Sequence, residues 1–171
     1  AFNNAGIFFE EAKFHEYDDN IWDEHIAVGL KGIYLCMKSQ ISLMLSNQDS
    51  QSVIVNNAST VGSRGSVASG AGYTAAKHGV LGLTKQAAVE YAKSNITVNS
   101  ISVGPTLTEA TEKILEMETN ARSHFLSELN PTGELIKIES IAEAVYFLCS
   151  SGASMINGHS LTIDGGQLAK L

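Results

Sequence analysis

The sequence predicts a single α/β domain across its 171 residues. Three observations lead to that prediction. Short apolar runs rich in β-branched residues, the length of strands, stand at Val53–Val55, Ile96–Ile101 and Ser160–Ile163. Longer stretches with helical periodicity separate them. The segment joining the first run to the next helix is almost wholly Gly, Ser and Ala, with Arg64 its only charge, which is loop composition.

Each element follows from its residues. Ala1 and Phe2 end a strand, and Asn3-Asn4-Ala5-Gly6 has the composition of an Asx-Gly turn after it. Residues 7–17 pass from apolar to acidic and predict a loop. Asp18, Asp19 or Asn20 then caps a long helix whose apolar stripe takes in Ile21, Ile26, Val28, Leu30, Ile33, Tyr34, Met37, Ile41 and Leu45. Ser52–Asn57 is a buried strand with Ser59 and Thr60 at its end. A helix opens near Gly72 and runs to about Lys93, with Ala75, Ala76, Gly79 and Gly82 permitting close packing.

Ile96–Ile101 alternates as a strand, and Asn99 within it reads as a structural group bonding backbone. Residues 109–128 read as helical, 129–138 as a loop holding Pro131 and Gly133. A further helix starts at Glu139 or Ser140, burying Ile141, Ala144, Val145, Phe147 and Leu148. Ser160–Ile163 is the last strand, followed by Asp164-Gly165-Gly166.

The chemistry concentrates between Ser59 and Lys77. Tyr73 and Lys77 are four residues apart on a helix and share a face. A free phenol, with a pKa of about 10, is a poor base at neutral pH. An ammonium at about 5 Å, at an effective dielectric of about 20, favours the phenolate by roughly 3 kcal/mol, or about 2 pK units. Tyr73 would then serve as a general acid or base toward an alcohol or carbonyl oxygen, with Ser59 or Thr60 holding that oxygen. A Tyr-x-x-x-Lys spacing alone is commonly accidental. The hydroxyl pair upstream and the small-residue loop weigh against accident here.

Composition narrows the alternatives. Hydrophobic residues make up 44% and charged residues 17%, as in folded globular chains. The formal charge of −7 offers no basic stripe for a nucleic-acid backbone. The acidic residues between Glu10 and Glu24 read as a solvated face. Cys36 and Cys149 stand in apolar helical contexts and read as small buried hydrophobes in a reducing compartment, the cytoplasm. No metal-ligand spacing occurs among the cysteines and the five histidines. His78, beside Lys77, points to another side of its helix and reads as surface or interface. No apolar run is long enough to span a membrane.

Taken together, NNASTVG, YTAAKHGVLGLTK, ITVNSISVGPTLT, and the closing ING and IDGG resemble the short-chain dehydrogenase/reductase family. The likeness runs from Asn3 to Gly166 with the family's motifs in its order. It implies a Rossmann-like, doubly wound parallel sheet, NAD or NADP as cofactor, and hydride transfer to or from the carbonyl carbon of a small-molecule alcohol or ketone. It further implies Tyr73 as acid/base, Lys77 as its tuning group and ribose ligand, and Ser59 or Thr60 orienting substrate. Asn4, Ala5 and Gly6 would line the cofactor. Gly104, Thr106 and Thr108 would lie at its nicotinamide end, although Thr108 fits a helix N-cap equally well. Residues 109–128 would be a flap over substrate, and a homodimer or homotetramer is implied.

The chain also departs from that pattern. It corresponds to the C-terminal two-thirds of the family domain, so the first three strands, the Gly-rich phosphate turn and the selector of NAD or NADP would precede Ala1. Gly29 stands where the family has an Asn that supports the Lys through water. Thr60 has the family's usual spacing to the Tyr, and Ser59 is one residue earlier. An inactive fragment or subunit with an assembly role therefore remains a rival to catalysis, as does epimerisation on the same scaffold.

Overall fold

The computed structural model describes residues 1–8, 12–46, 50–109 and 111–170. Four strands, β1 (Phe2–Asn3), β2 (Ser52–Asn57), β3 (Ile96–Val103) and β4 (Ser160–Ile163), form one parallel sheet in the order β1-β2-β3-β4. Phe2 pairs with Val55, Ser52 with Ile96, and Ser100 with Ser160. Parallel neighbours need crossovers, and helices supply them. α1 (Asp19–Ile26) runs through a π-helical turn (Ala27–Gly32) into α2 (Ile33–Leu45). α3 (Ala71–Tyr91) joins β2 to β3, and α4 (Thr119–Leu129) and α5 (Ile138–Leu148) lie between β3 and β4.

The central strands read as unbroken apolar runs because both faces of the sheet are covered. On one face Ile54, Ile96 and Val98 meet Ile33, Met37 and Ile41 of α2 and Val80, Ala87 and Ala88 of α3. On the other, Val55 and Ile101 meet Leu148, with Ile141 and Val145 of α5. Each such aliphatic side chain, fully buried, contributes about 1.5–3 kcal/mol. The expected doubly wound arrangement is therefore present. One polar network crosses the first face. Asn56 donates to Thr84 Oγ1 at 3.0 Å and accepts from Asn3 at 2.8 Å, while Gln40 donates to Asn3 at 2.7 Å. It pins β1 and β2 to α2 and α3.

Several boundaries and exposures differ from expectation. Asp18 is the cap of α1, accepting from the Asn20 N–H at 2.7 Å. β3 extends two residues past Ile101, and α5 starts at Ile138. The 109–128 stretch is a 3-10 turn (Glu112–Glu116) followed by α4, and Ala110 lies outside the described residues. Cys36 and Cys149 are both exposed, Cys36 within α2 and Cys149 just past the end of α5. Phe147 is likewise exposed, one residue away from the buried Leu148. Asn99 is structural as expected, donating to the Ile156 carbonyl at 2.7 Å and accepting from the His159 N–H at 3.0 Å. The acidic residues Glu16, Asp18, Asp19, Asp23 and Glu24 are exposed, and Glu10 lies outside the described residues.

Candidate active site

All four strands end on the same side, and the predicted site residues come from the turns just beyond those ends. Gly6 follows β1, Ser59 and Thr60 follow β2, Gly104 and Thr106 follow β3, and Asp164 follows β4. Ligands of open parallel sheets bind in the crevice outside these carboxyl ends. Tyr73 and Lys77 reach the same place from the first turns of α3.

Lys77 is 3% exposed, with its Nζ 5.6 Å from the centre of the Tyr73 ring. The ammonium donates one hydrogen to the Asn57 carbonyl at 2.7 Å. A Cβ on Gly6 would lie 3.6 Å from the same Nζ, so the turn after β1 approaches the ammonium closely. The Ser59 side chain lies near enough to the Tyr73 phenol to pull its pKa down. Its other contacts are long, 3.4 Å to the Val103 carbonyl and 3.4 Å from the Val61 N–H.

Thr60 is placed differently. Its hydroxyl donates to Gln167 Oε1 at 2.8 Å, and both residues are buried. Of the two hydroxyls that the sequence leaves open, Ser59 is the one that faces the phenol.

The electrostatics differ from the expectation of an acidified phenol. Burial is the largest influence on Tyr73 and raises its pKa, and the Ser59 side chain offsets this in part. Burial also lowers Lys77 to about 8. The ammonium's attraction assumed a solvated, fully charged lysine. Here both groups have lost water, and desolvation disfavours each charged form.

Other predicted positions are less central. Thr106 donates to the Gly104 carbonyl at 3.0 Å, and Thr108 is exposed. The Thr108 hydroxyl lies 3.3 Å from that of Thr111. Asn4 and Ala5 are exposed beside the site, and the Asn4 side chain accepts from Asn57 Nδ2 at 2.9 Å. Gly29 is buried in the π-helical turn, where a Cβ would meet only Ala76 Cβ, at 3.3 Å. His78 is exposed, as expected.

Several residues at the site escape the sequence analysis. Phe8 stands edge-on to Tyr73, with ring centres 5.3 Å apart at 88°. His25, only 2% exposed, lies 5.9 Å from Tyr73 at 74°. Gln167 holds Thr60. His25 had a legible signal: carrying the four-residue spacing of Ile33, Met37 and Ile41 backward lands on Gly29 and then on His25.

A family model described as Enoyl-(Acyl carrier protein) reductase matches residues 1–167. The chain belongs to the short-chain dehydrogenase/reductase family. Within that family it is 36% identical to a cyclohexanol dehydrogenase of Acinetobacter sp. (strain SE19), covering 99% of this chain and 64% of the relative. Among solved structures, ElxO with NADP bound superposes with a TM-score of 0.88 at 32% identity, over 99% of this chain and 66% of that one. A 4-hydroxyisoleucine dehydrogenase mutant complexed with NADH and succinate gives 0.89 at 31% identity, over 99% and 68%. The short-chain dehydrogenase/reductase fold thus accounts for the sheet order and for the convergence at its carboxyl edge. The chain spans 62–64% of the length of the first curated relatives it matches. Among the described residues no helix is long and apolar enough to cross a membrane, and no cluster of His, Cys, Asp or Glu has metal-binding geometry.

Proposed function

We propose that this chain carries the acid/base centre of an NAD(P)-dependent oxidoreductase that interconverts a secondary alcohol and a ketone. The observation that supports this most directly is that Ser59 and Lys77 both lie beside Tyr73 at the sheet's carboxyl edge. Relatives named for alcohol oxidation and neighbours bound to NADP or NADH favour the same assignment.

The residues present fit a nicotinamide cofactor. Lys77 has three donors and spends one on Asn57, leaving two for ribose hydroxyls. Gly6 lies against that ammonium, since a Cβ there would stand 3.6 Å from it. When bound, the cofactor supplies or accepts the hydride.

Tyr73 moves the proton. A buried phenol with a raised pKa is protonated at neutral pH, so in ketone reduction it donates its hydrogen to the carbonyl oxygen. In alcohol oxidation the phenolate takes the proton back, which requires higher pH or added positive charge nearby. Ser59 holds the substrate oxygen within reach of the phenol. Lys77 grips the ribose and, when charged, stabilises the phenolate. A homodimer or homotetramer fits the shallow apolar groove between the 19–45 helix and α3, lined by Ile26, Leu30, Tyr34, Gly79, Gly82 and Leu83.

Tyr73→Phe tests the assignment. It should abolish cyclohexanol oxidation and cyclohexanone reduction while leaving the fold and NADH or NADPH fluorescence titrations intact. Near-normal turnover in that variant discards it.

A further inference from the structure

We propose that His25 and Tyr17 are positioning residues that hold the Tyr73 ring in its working orientation. This rests on Tyr73 being the acid/base, as proposed above. A phenol on a helix turns about two side-chain bonds, and a proton-transfer group displaced by about 1 Å loses up to roughly a hundredfold in rate. Something must therefore bracket the ring, and two ring edges do so, Phe8 at 88° and His25 at 74°. Phe8 is 59% exposed and is a soft wall. His25 is buried and is the hard one.

The imidazole is itself pinned. Its Nδ1 lies 2.9 Å from the Ile21 carbonyl, which only accepts, so Nδ1 carries the hydrogen and donates it there. The Tyr17 hydroxyl sits 3.1 Å from the same nitrogen and takes a second share of that hydrogen. The Tyr17 ring is in turn seated on Gly70, where a Cβ would overlap it. Gly72 removes a second obstacle, since a Cβ there would lie 3.2 Å from His25 Cβ. Gly70 and Tyr73 both belong to the start of α3. The contacts therefore close a ring, from the base of α3 through Tyr17 and His25 back to the phenol. Neither Tyr17 nor His25 needs to touch substrate or cofactor for this to work.

The test reads Tyr73 directly, without ligands, by NMR of protein carrying 13C-labelled tyrosine, with the Tyr73 signals assigned through Tyr73→Phe. Tyr17→Phe retains the imidazole but removes one of its two anchors, so it should speed Tyr73 ring flipping at least tenfold and weaken the Tyr73–Ser59 contact. His25→Ala should do the same, and the double variant should add little. His25→Phe restores a wall and should recover much of the loss. With cyclohexanone and NADH or NADPH, the same variants should lower kcat roughly three- to tenfold with little change in KM or in cofactor affinity.

Wild-type flip rates in Tyr17→Phe overturn the proposal. So does a His25→Phe variant no better than His25→Ala, or losses that simply follow a falling Tm. Because the NMR arm needs no turnover, an active Tyr73→Phe enzyme would sink the catalytic assignment separately from this one.

Discussion

Thr60 and Gln167, separated by 107 residues in sequence, share a buried 2.8 Å hydrogen bond. That bond ties the turn after β2 to the turn after β4. It commits the Thr60 hydrogen to Gln167, which favours Ser59 as the proposed substrate-orienting hydroxyl. The two neighbouring hydroxyls should then fail differently on removal. Thr60→Val strands the Gln167 oxygen and should cost about 1–3 kcal/mol of stability in urea unfolding, with kcat largely kept. Ser59→Ala should keep stability within about 1 kcal/mol and lower kcat by roughly a hundredfold. The reverse pattern would return the orienting role to Thr60.

Lys77 makes stability depend on pH. Burial holds it at about 8 in the folded chain against 10.5 as its ordinary value. Between those two pH values the unfolded chain binds the extra proton, so stability rises as pH increases, by at most about 3 kcal/mol. Tyr73 acts in the opposite sense above about pH 10, because its phenol is held protonated longer in the folded state than in the unfolded one. Urea midpoints should therefore climb from pH 7 toward pH 10 and then turn down. Lys77→Met should flatten the climb, and a climb that survives that substitution would separate it from this lysine.

Gly62 sits where the 3-10 turn after Ser59 crosses α3. A Cβ there would lie 2.9 Å from the Lys77 carbonyl oxygen and 3.2 Å from Leu81 Cδ1. The backbone oxygen of a helix cannot step aside, so Gly62→Ala should lift the turn from α3. The expected result is a loss of about 1–3 kcal/mol together with a lower kcat, measured by unfolding and by turnover on one preparation.

Both cysteines are exposed, and the native protein should give two thiols per chain to Ellman's reagent without denaturant. Thiols that react only after unfolding would restore the buried assignment made from their apolar neighbours in sequence.

The pattern of what could be read follows from the range of each determinant. β2, the 71–91 helix and the Tyr73–Lys77 pairing were legible because periodicity within a few residues sets them. The exposure of Cys36, Cys149 and Phe147 was not, since an apolar neighbourhood does not say which side of a helix faces the sheet. The Thr60–Gln167 bond that favours Ser59 was not legible, because no local pattern connects residues 107 apart. The direction of the Tyr73 shift depends on how completely two groups lose water, and that is a property of the assembled crevice.

The π-helical turn at Ala27–Gly32 explains one further fact. His25, Gly29, Ile33, Met37 and Ile41 are all buried, each four residues from the last. A four-residue step overshoots a 3.6-residue turn by about 40°, so a straight rod would carry such a series halfway around its circumference. The widened turn takes up that drift. One continuous shaft can therefore aim its front end at Tyr73 and its rear at the hydrophobic interior. One extra residue in a regular α-helix would turn everything beyond it by about 100°, whereas the widened turn at 27–32 absorbs it and keeps the two ends in register.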